Sequence, residues 1–119
     1  MVFALGVFRF VRPMLRDGET RHVAQQLLRS STAVASNYRA ACLARSHKEW
    51  TARIGVVREE SDESLFWLTF LDRAGLCPGG GGALDPLRTE AQELARIFGA
   101  SYRTSQHHRS TDRPPLDTK

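Results

Sequence analysis

Apolar residues recur every three to four positions in four separate stretches of this chain, while the alternation typical of β-strands is weak throughout. The two central stretches cover roughly 25 residues each, which corresponds to helices about 38 Å long. The first stretch covers only about 12 residues. The pattern predicts an all-α protein, and its short connections favour an antiparallel up-down-up-down four-helix bundle with a short first helix.

Local signals predict where the two central helices begin and end. The second helix is expected to begin near residues 17–20 and to end near Ala44. Ser46 and Glu49 have the spacing of a capping box, in which each side chain accepts a hydrogen bond from the backbone N–H of the other. The third helix should therefore begin there, and Gly75 can end it in the left-handed conformation.

The last part of the chain is predicted to contain one more helix and a tail. Asp85 followed by Pro86 is typical of a helix N-terminus, and the glycines at residues 79–82 before it predict a flexible linker. Residues 105–119 are polar and contain proline, so we expect a disordered tail. The bundle is accordingly expected to cover residues 1–104.

One face of the second helix is polar and basic. Its side chains recur every three or four positions, and positive charge continues past the following turn. The residues predicted to contact nucleic acid are Arg21, Gln25, Arg29, Arg39, Arg45, Lys48 and Arg53. The formal net charge of +4 permits contact with a polyanion without requiring it. A solvated helix face without a ligand is the alternative interpretation. The opposite face should pack into the core and include Tyr38, as should Trp50 on the third helix.

A tight turn near Arg45 brings the second and third helices into antiparallel register. Arg29 then lies opposite Asp62 and Glu63, where an ion pair would fix the register more than it would stabilise the fold. The residues predicted to form this polar seam are Arg29, Ser30, Asn37, Glu59 and Glu63. Alternatively, the acids of the third helix point mostly to water.

No sequence motif indicates catalysis, a metal or a cofactor. The glycine run lacks the Gly-Lys-Ser/Thr of a phosphate loop, and no serine has the flanking glycines of a nucleophile elbow. His107 and His108 are adjacent and lack further ligands, so they predict no metal site. Cys42 and Cys77 belong to no Cys-x-x-Cys pair, which predicts reduced thiols and a cytoplasmic protein. We therefore expect no enzyme activity and no catalytic residues.

Three segments together resemble the four helix bundle protein family. Members of this family were first noticed in intervening sequences of bacterial 23S rRNA genes, and the accessory variability protein of diversity-generating retroelements is a relative. The segments are QLLRSSTAVASNYRAA at residues 26–41, RSHKEW at 45–50 and EESDESLFWL at 59–68. The resemblance extends over roughly residues 20–102.

The resemblance implies a bundle that assembles into a homopentameric ring with a basic surface. Retroelement relatives use that surface to bind nucleic acid and a reverse transcriptase, and no member is recognised as an enzyme. The Arg, Ser and Asn of the family's second helix correspond here to Arg29, Ser30, Ser31 and Asn37, and its third-helix acid corresponds to Glu63. The chain lacks the Glu-Gly that many members carry after this Asn.

Two functions stay open from the sequence. The first is a non-enzymatic oligomeric bundle whose basic face binds RNA, DNA or a reverse-transcriptase-like partner. The second is a structural or protein-interaction module with no nucleic-acid role. No membrane partner is expected. The first helix is too short to match the two central helices. We therefore expect one of three situations: an exposed end of the bundle, a start codon placed too late, or a partner chain that covers the gap.

Overall fold

The computed structural model describes residues 1–77 and 81–112, the last five through their backbone only, so part of the predicted glycine linker lies outside the described residues. The elements are α1 (Val2–Val11), a 3₁₀ segment (Arg12–Arg16), α2 (Arg21–Cys42), α3 (His47–Ala74) and α4 (Leu84–Asp112). The closely packed helix pairs are α1–α2, α2–α3, α3–α4 and α1–α4. This arrangement confirms the predicted all-α four-helix bundle, with α1 and α3 on opposite sides.

The first helix is short because proline follows it closely. Pro13 occupies the start of the 3₁₀ segment, where its missing N–H costs no hydrogen bond. The Thr20 hydroxyl then donates to the carbonyl oxygen of Met14 at 2.9 Å and to the carboxylate of Asp17 at 3.1 Å. These bonds close the turn into α2 and fix the relative height of the first two helices.

The predicted ends of α3 are confirmed, with one change in the cap. Ser46 accepts a hydrogen bond from the N–H of Glu49 at 3.0 Å, as expected. The Glu49 carboxylate accepts from the N–H of Arg45 at 3.3 Å instead of from Ser46, so the capping box is shifted by one residue. Gly75 ends the helix with φ of 68°, which only glycine adopts readily. In α4, Asp85 lies inside the first turn and not before it.

The core is complete only where α1 covers the other three helices. There α1 contributes Val7 and Val11, which are fully buried in one apolar cluster with residues of the other three helices. Near Met1, a groove between α2 and α4 is open to solvent. Tyr38 is consequently 44% exposed and Trp50 is only half-buried, so the predicted core position of Tyr38 is wrong.

The fourth helix continues past the boundary predicted after residue 104. Residues 105–112 are helical, and Ser105 is buried beside the N-terminal turns of α3. Its hydroxyl forms a hydrogen bond with Thr51, and its carbonyl oxygen lies 2.9 Å from Nε2 of His47. These tertiary contacts explain why a polar segment stays helical there. Residues 113–119 of the predicted tail lie outside the described residues.

Candidate nucleic-acid interface

Small polar side chains form a buried seam between α2 and α3. The hydroxyl oxygens of Ser30 and Ser64 lie 2.9 Å apart, and both residues are fully buried. Ser30 also donates to the carbonyl oxygen of Leu27 at 3.2 Å. At the same interface, the Arg53 guanidinium donates to the side-chain oxygen of Asn37 at 3.1 Å. Small residues let the two helix backbones approach closely, and their hydrogen bonds satisfy the polar groups that this approach buries.

Arg29 lies at the exposed edge of this seam and joins the two helices. Its guanidinium donates two hydrogen bonds to the carboxylate of Glu60, at 3.1 and 3.3 Å, and a third to Glu63. Trp67 donates its indole N–H to the same Glu63 carboxylate at 3.2 Å. The hydrogen bonds that Arg29 donates to Glu60 raise the pKa of Arg29, and the hydrogen bond that it donates to Glu63 lowers the pKa of Glu63.

The predicted pairing of Arg29 with Glu63 is confirmed, but the other acids of the seam differ from those predicted. Glu60 pairs with Arg29 in place of Asp62, and the assignment of Glu59 to the seam is wrong. Glu60 and Glu63 are three residues apart and therefore share the helix face that looks toward α2. Glu59 is rotated by about 100° from Glu60, toward solvent, and makes no ion pair within the described part of the chain.

The predicted nucleic-acid residues fall into two groups. Arg29 and Arg53 are held by the seam between α2 and α3, so their hydrogen-bonding capacity is partly used. The others are exposed, and none of their side chains forms an ion pair with a described residue: Arg21, Gln25, Arg39, Arg45 and Lys48.

The exposed residues of α2 lie in a row along one side of the bundle, which we call the basic line. Arg21 and Arg39 are 18 residues apart, which is five full turns, so they point in the same direction about 27 Å apart. Gln25 follows Arg21 by one turn. Arg45 and Lys48 continue the positive charge around the end of the bundle.

The site predicted from sequence omits a second basic surface, at the end of the first helix. Residues 1–16 contain Arg9, Arg12 and Arg16 but no acidic residue, and all three arginines are exposed. The guanidinium carbon of Arg12 lies 5.7 Å from the ring centroid of Phe8, which is 42% exposed. A count of acids and bases along the first 16 residues is the sequence signal that could have revealed this surface.

An aromatic cluster is exposed on the outer face of α3. Phe66 is 56% exposed and Phe70 43%. Their rings pack against each other and against Trp67, with centroid distances of 4.9 to 6.5 Å. Adjacent large apolar side chains in contact with water mark a surface suited to a protein partner.

A groove between α2 and α4 lies beside the first residues of α1. Near Met1 it has a volume of about 290 Å³, and Tyr38 and Phe98 face each other across it with ring centroids 5.5 Å apart. The groove lies where a longer first helix would pack. It is mainly apolar, and its surface is distinct from the basic line on α2.

The fold and its seam define the class of protein: a small antiparallel four-helix bundle with one short helix. No family model matches the chain, and no curated protein matches it in sequence. A solved structure that it is similar to is a protein of unknown function from the S23 ribosomal protein family of Bacteroides thetaiotaomicron VPI-5482. The TM-score is 0.75 over 85% of this chain and 92% of that chain, with 19% sequence identity. This likeness establishes a shared fold. Within residues 1–77 and 81–112, none of the helices has the length and apolarity needed to cross a bilayer.

Proposed function

We propose that this protein is a non-enzymatic, oligomeric helical bundle that binds nucleic acid through a basic face centred on α2. The observation that carries the proposal is the pair Arg21 and Arg39, which share one exposed face and form no ion pair among the described residues. Arg29, between them in sequence, is neutralised by two glutamates. Free guanidinium groups donate hydrogen bonds to phosphate in a bidentate geometry, and phosphate contacts supply most of the non-specific affinity for nucleic acid.

Two likenesses support a role connected with RNA. The sequence resembles small bundle proteins first noticed within 23S rRNA genes, and the similar solved structure is assigned to a ribosomal protein family. Retroelement relatives of the first group bind nucleic acid through a basic surface. A reverse-transcriptase-like protein is therefore a further candidate partner.

Assembly into a homo-oligomer, a pentamer by the family resemblance, is part of the same proposal. The aromatic cluster on α3 supports it, because Phe66 and Phe70 would leave water in a contact between copies. The cluster reaches α2 through the ring contact of Trp67 with His22, but Arg21 and Arg39 point half a turn away from the face of α2 that packs on α3. Assembly would therefore repeat the basic face in each copy and increase the avidity for a long polyanion.

The test is binding of fluorescently labelled RNA, followed by anisotropy, to the native protein and to two charge-matched double variants. Arg21→Gln with Arg39→Gln removes the proposed contacts and should weaken binding at least tenfold, with a salt slope reduced by about 2. The control is Arg73→Gln with Arg103→Gln, which removes equal charge from exposed positions on α3 and α4.

If both double variants lose affinity equally, the interaction follows overall charge, and the α2 face is not the binding site. The second candidate function, a structural or protein-interaction module, is favoured by the exposed aromatic cluster on α3. A protein that assembles normally but binds no RNA or DNA at low salt would have this second function.

A further inference from the structure

The outer edges of α1 and α2 meet beside the second basic surface. The two helices are antiparallel, and the hydrogen bond from Thr20 to Met14 fixes their relative height at the turn. Measured along the bundle axis from this bond, Arg12 and Phe8 lie at the same height as residues 21–26 of α2. The aromatic ring and Arg12 therefore lie at the same level as the start of the basic line on α2.

The helical phase places these side chains on one seam. Gly6 faces α4, because a Cβ atom there would lie 3.1 Å from Leu87. Phe8 lies 200° around the helix from Gly6, so its ring points away from α4, toward the α2 side. On α2, Ser30 faces α3, and Arg21 lies nine residues earlier, half a turn away in direction. Arg21 thus points away from α3 and outward to solvent, on the edge of α2 that is nearer to α1 than to α3.

Basic side chains outnumber acidic ones along this seam, with Arg12, Arg16 and Arg21 against Asp17 and Glu19, all of them exposed. Arg12 and Arg16 line a small cleft of about 190 Å³ together with Pro13, and neither arginine forms an ion pair with a described acid. The nearest following acid, Asp17, accepts the hydroxyl hydrogen bond of Thr20. Arg12 thus lies against the exposed ring of Phe8, and Arg16 lines the adjoining cleft with it.

We infer that single-stranded nucleic acid binds along the α1–α2 seam, with a base stacked on Phe8 and phosphates contacted by Arg12, Arg16 and Arg21. This inference rests on the proposed function and adds the form of nucleic acid and the stacking residue. Bases stack on aromatic rings and on guanidinium planes, so Phe8 and Arg12 together offer a platform for an unpaired base. In a duplex the faces of the bases are buried between neighbouring base pairs, so a duplex gains no stacking on the Phe8 ring.

The test measures anisotropy with a labelled oligouridine of about 20 nucleotides and with a labelled RNA duplex of the same length. Phe8→Leu keeps an apolar side chain but removes the ring, and it should weaken oligouridine binding about tenfold without changing duplex binding. Phe8→Tyr should retain the native affinity. The exposed position of Phe8 leaves the fold intact in both variants, which circular dichroism melting checks.

Leu5→Ala is the matched control. Leu5 lies on the same helix and is 43% exposed, close to the 42% of Phe8. It carries no aromatic ring, so its truncation should leave oligouridine affinity unchanged. Arg12→Gln with Arg16→Gln should lower the salt slope for oligouridine by about 1.4, because each of the two lost phosphate contacts contributes about 0.7 on a single strand.

The inference and the proposed function fail in different ways. If the native protein binds oligouridine and Phe8→Leu binds it equally well, the stacking site is wrong, while weaker binding by the Arg21 and Arg39 double variant still supports the proposed function. Equal loss for oligouridine and duplex, or equal loss in Leu5→Ala, also overturns the stacking site. If the native protein binds neither nucleic acid but binds vesicles of anionic lipid, both proposals are wrong.

Discussion

At the scale of single residues, the close packing of α2 on α3 depends on hydroxyl groups that are small enough to be buried between two backbones. Ser30 and Ser64 face each other with no exposure, and each donates to or accepts from neighbouring polar groups. Among the described residues that are not exposed, no buried side-chain nitrogen or oxygen lacks a hydrogen-bond partner. Polar residues therefore occupy this interface without the cost of unsatisfied burial.

Ser30→Leu should destabilise the protein by about 2 kcal/mol, because the larger side chain forces the two helices apart. Urea unfolding followed by circular dichroism measures the change. Ser36→Leu is the control, since Ser36 lies on the same helix but is exposed. If the two variants unfold at the same urea concentration, the helices do not need a small residue at position 30.

Glu63 gives the seam a dependence on pH. The hydrogen bond from Arg29 lowers the pKa of Glu63 in the folded protein. The ionised Glu63 therefore contributes to the free energy of unfolding at a pH above the ordinary carboxyl pKa, and this contribution is lost as the pH falls through the pKa of the folded protein. Glu63→Gln should cost about 0.5 kcal/mol near neutral pH, a small effect because the side chain is 38% exposed and solvent screens the pair.

In urea unfolding, the difference between Glu63→Gln and the native protein should shrink progressively as the pH falls through the ordinary carboxyl range toward the lowered pKa of Glu63. The exposed Glu59, which forms no ion pair with a described residue, supplies the control variant Glu59→Gln. An equal effect of both variants at neutral pH would mean that the pairing with Arg29 does not stabilise the fold.

At the scale of helices, local signals in the sequence predict most boundaries, and tertiary contacts decide the others. Ser46 and Gly75 act within a few residues of themselves, so their roles were predictable. The burial of Ser105 depends on Thr51 and His47, more than 50 residues away, and no local pattern contains that contact. The position of the seam and its acid Glu63 were predicted, but Glu60 was not, because a small change of register exchanges Asp62 for Glu60.

The functional surfaces were predictable to a smaller extent. A helical stripe of basic residues on α2 can be read from spacing, but spacing does not show that Arg29 is held by Glu60 and Glu63. The α1–α2 seam requires the height and phase of two helices, which Thr20 and Gly6 fix only in three dimensions.

At the scale of the whole molecule, the short first helix leaves the bundle with unlike ends. One end has a complete four-helix core, and the other has an open groove between α2 and α4. Basic residues follow the outer side of α2, while the exposed aromatic cluster lies on α3. The molecule therefore separates a surface suited to polyanions from a surface suited to self-association.

Phe66→Asp with Phe70→Asp should convert the proposed oligomer to a monomer, because two charges would be buried in the contact between copies. Size-exclusion chromatography with light scattering measures the mass. Leu43→Asp is the control, since Leu43 is 70% exposed and lies at the α2–α3 turn, away from the cluster. If the native protein has the mass of one chain at micromolar concentration, the assembly proposal is wrong.

The central claim, that the basic face binds nucleic acid through phosphate contacts, is tested most directly by the salt dependence of RNA binding to the native protein. The logarithm of the binding constant should fall linearly with the logarithm of salt concentration between about 50 and 200 mM, with a slope that reports several phosphate contacts. A slope near zero, or no binding at the lowest salt concentration, would contradict the account.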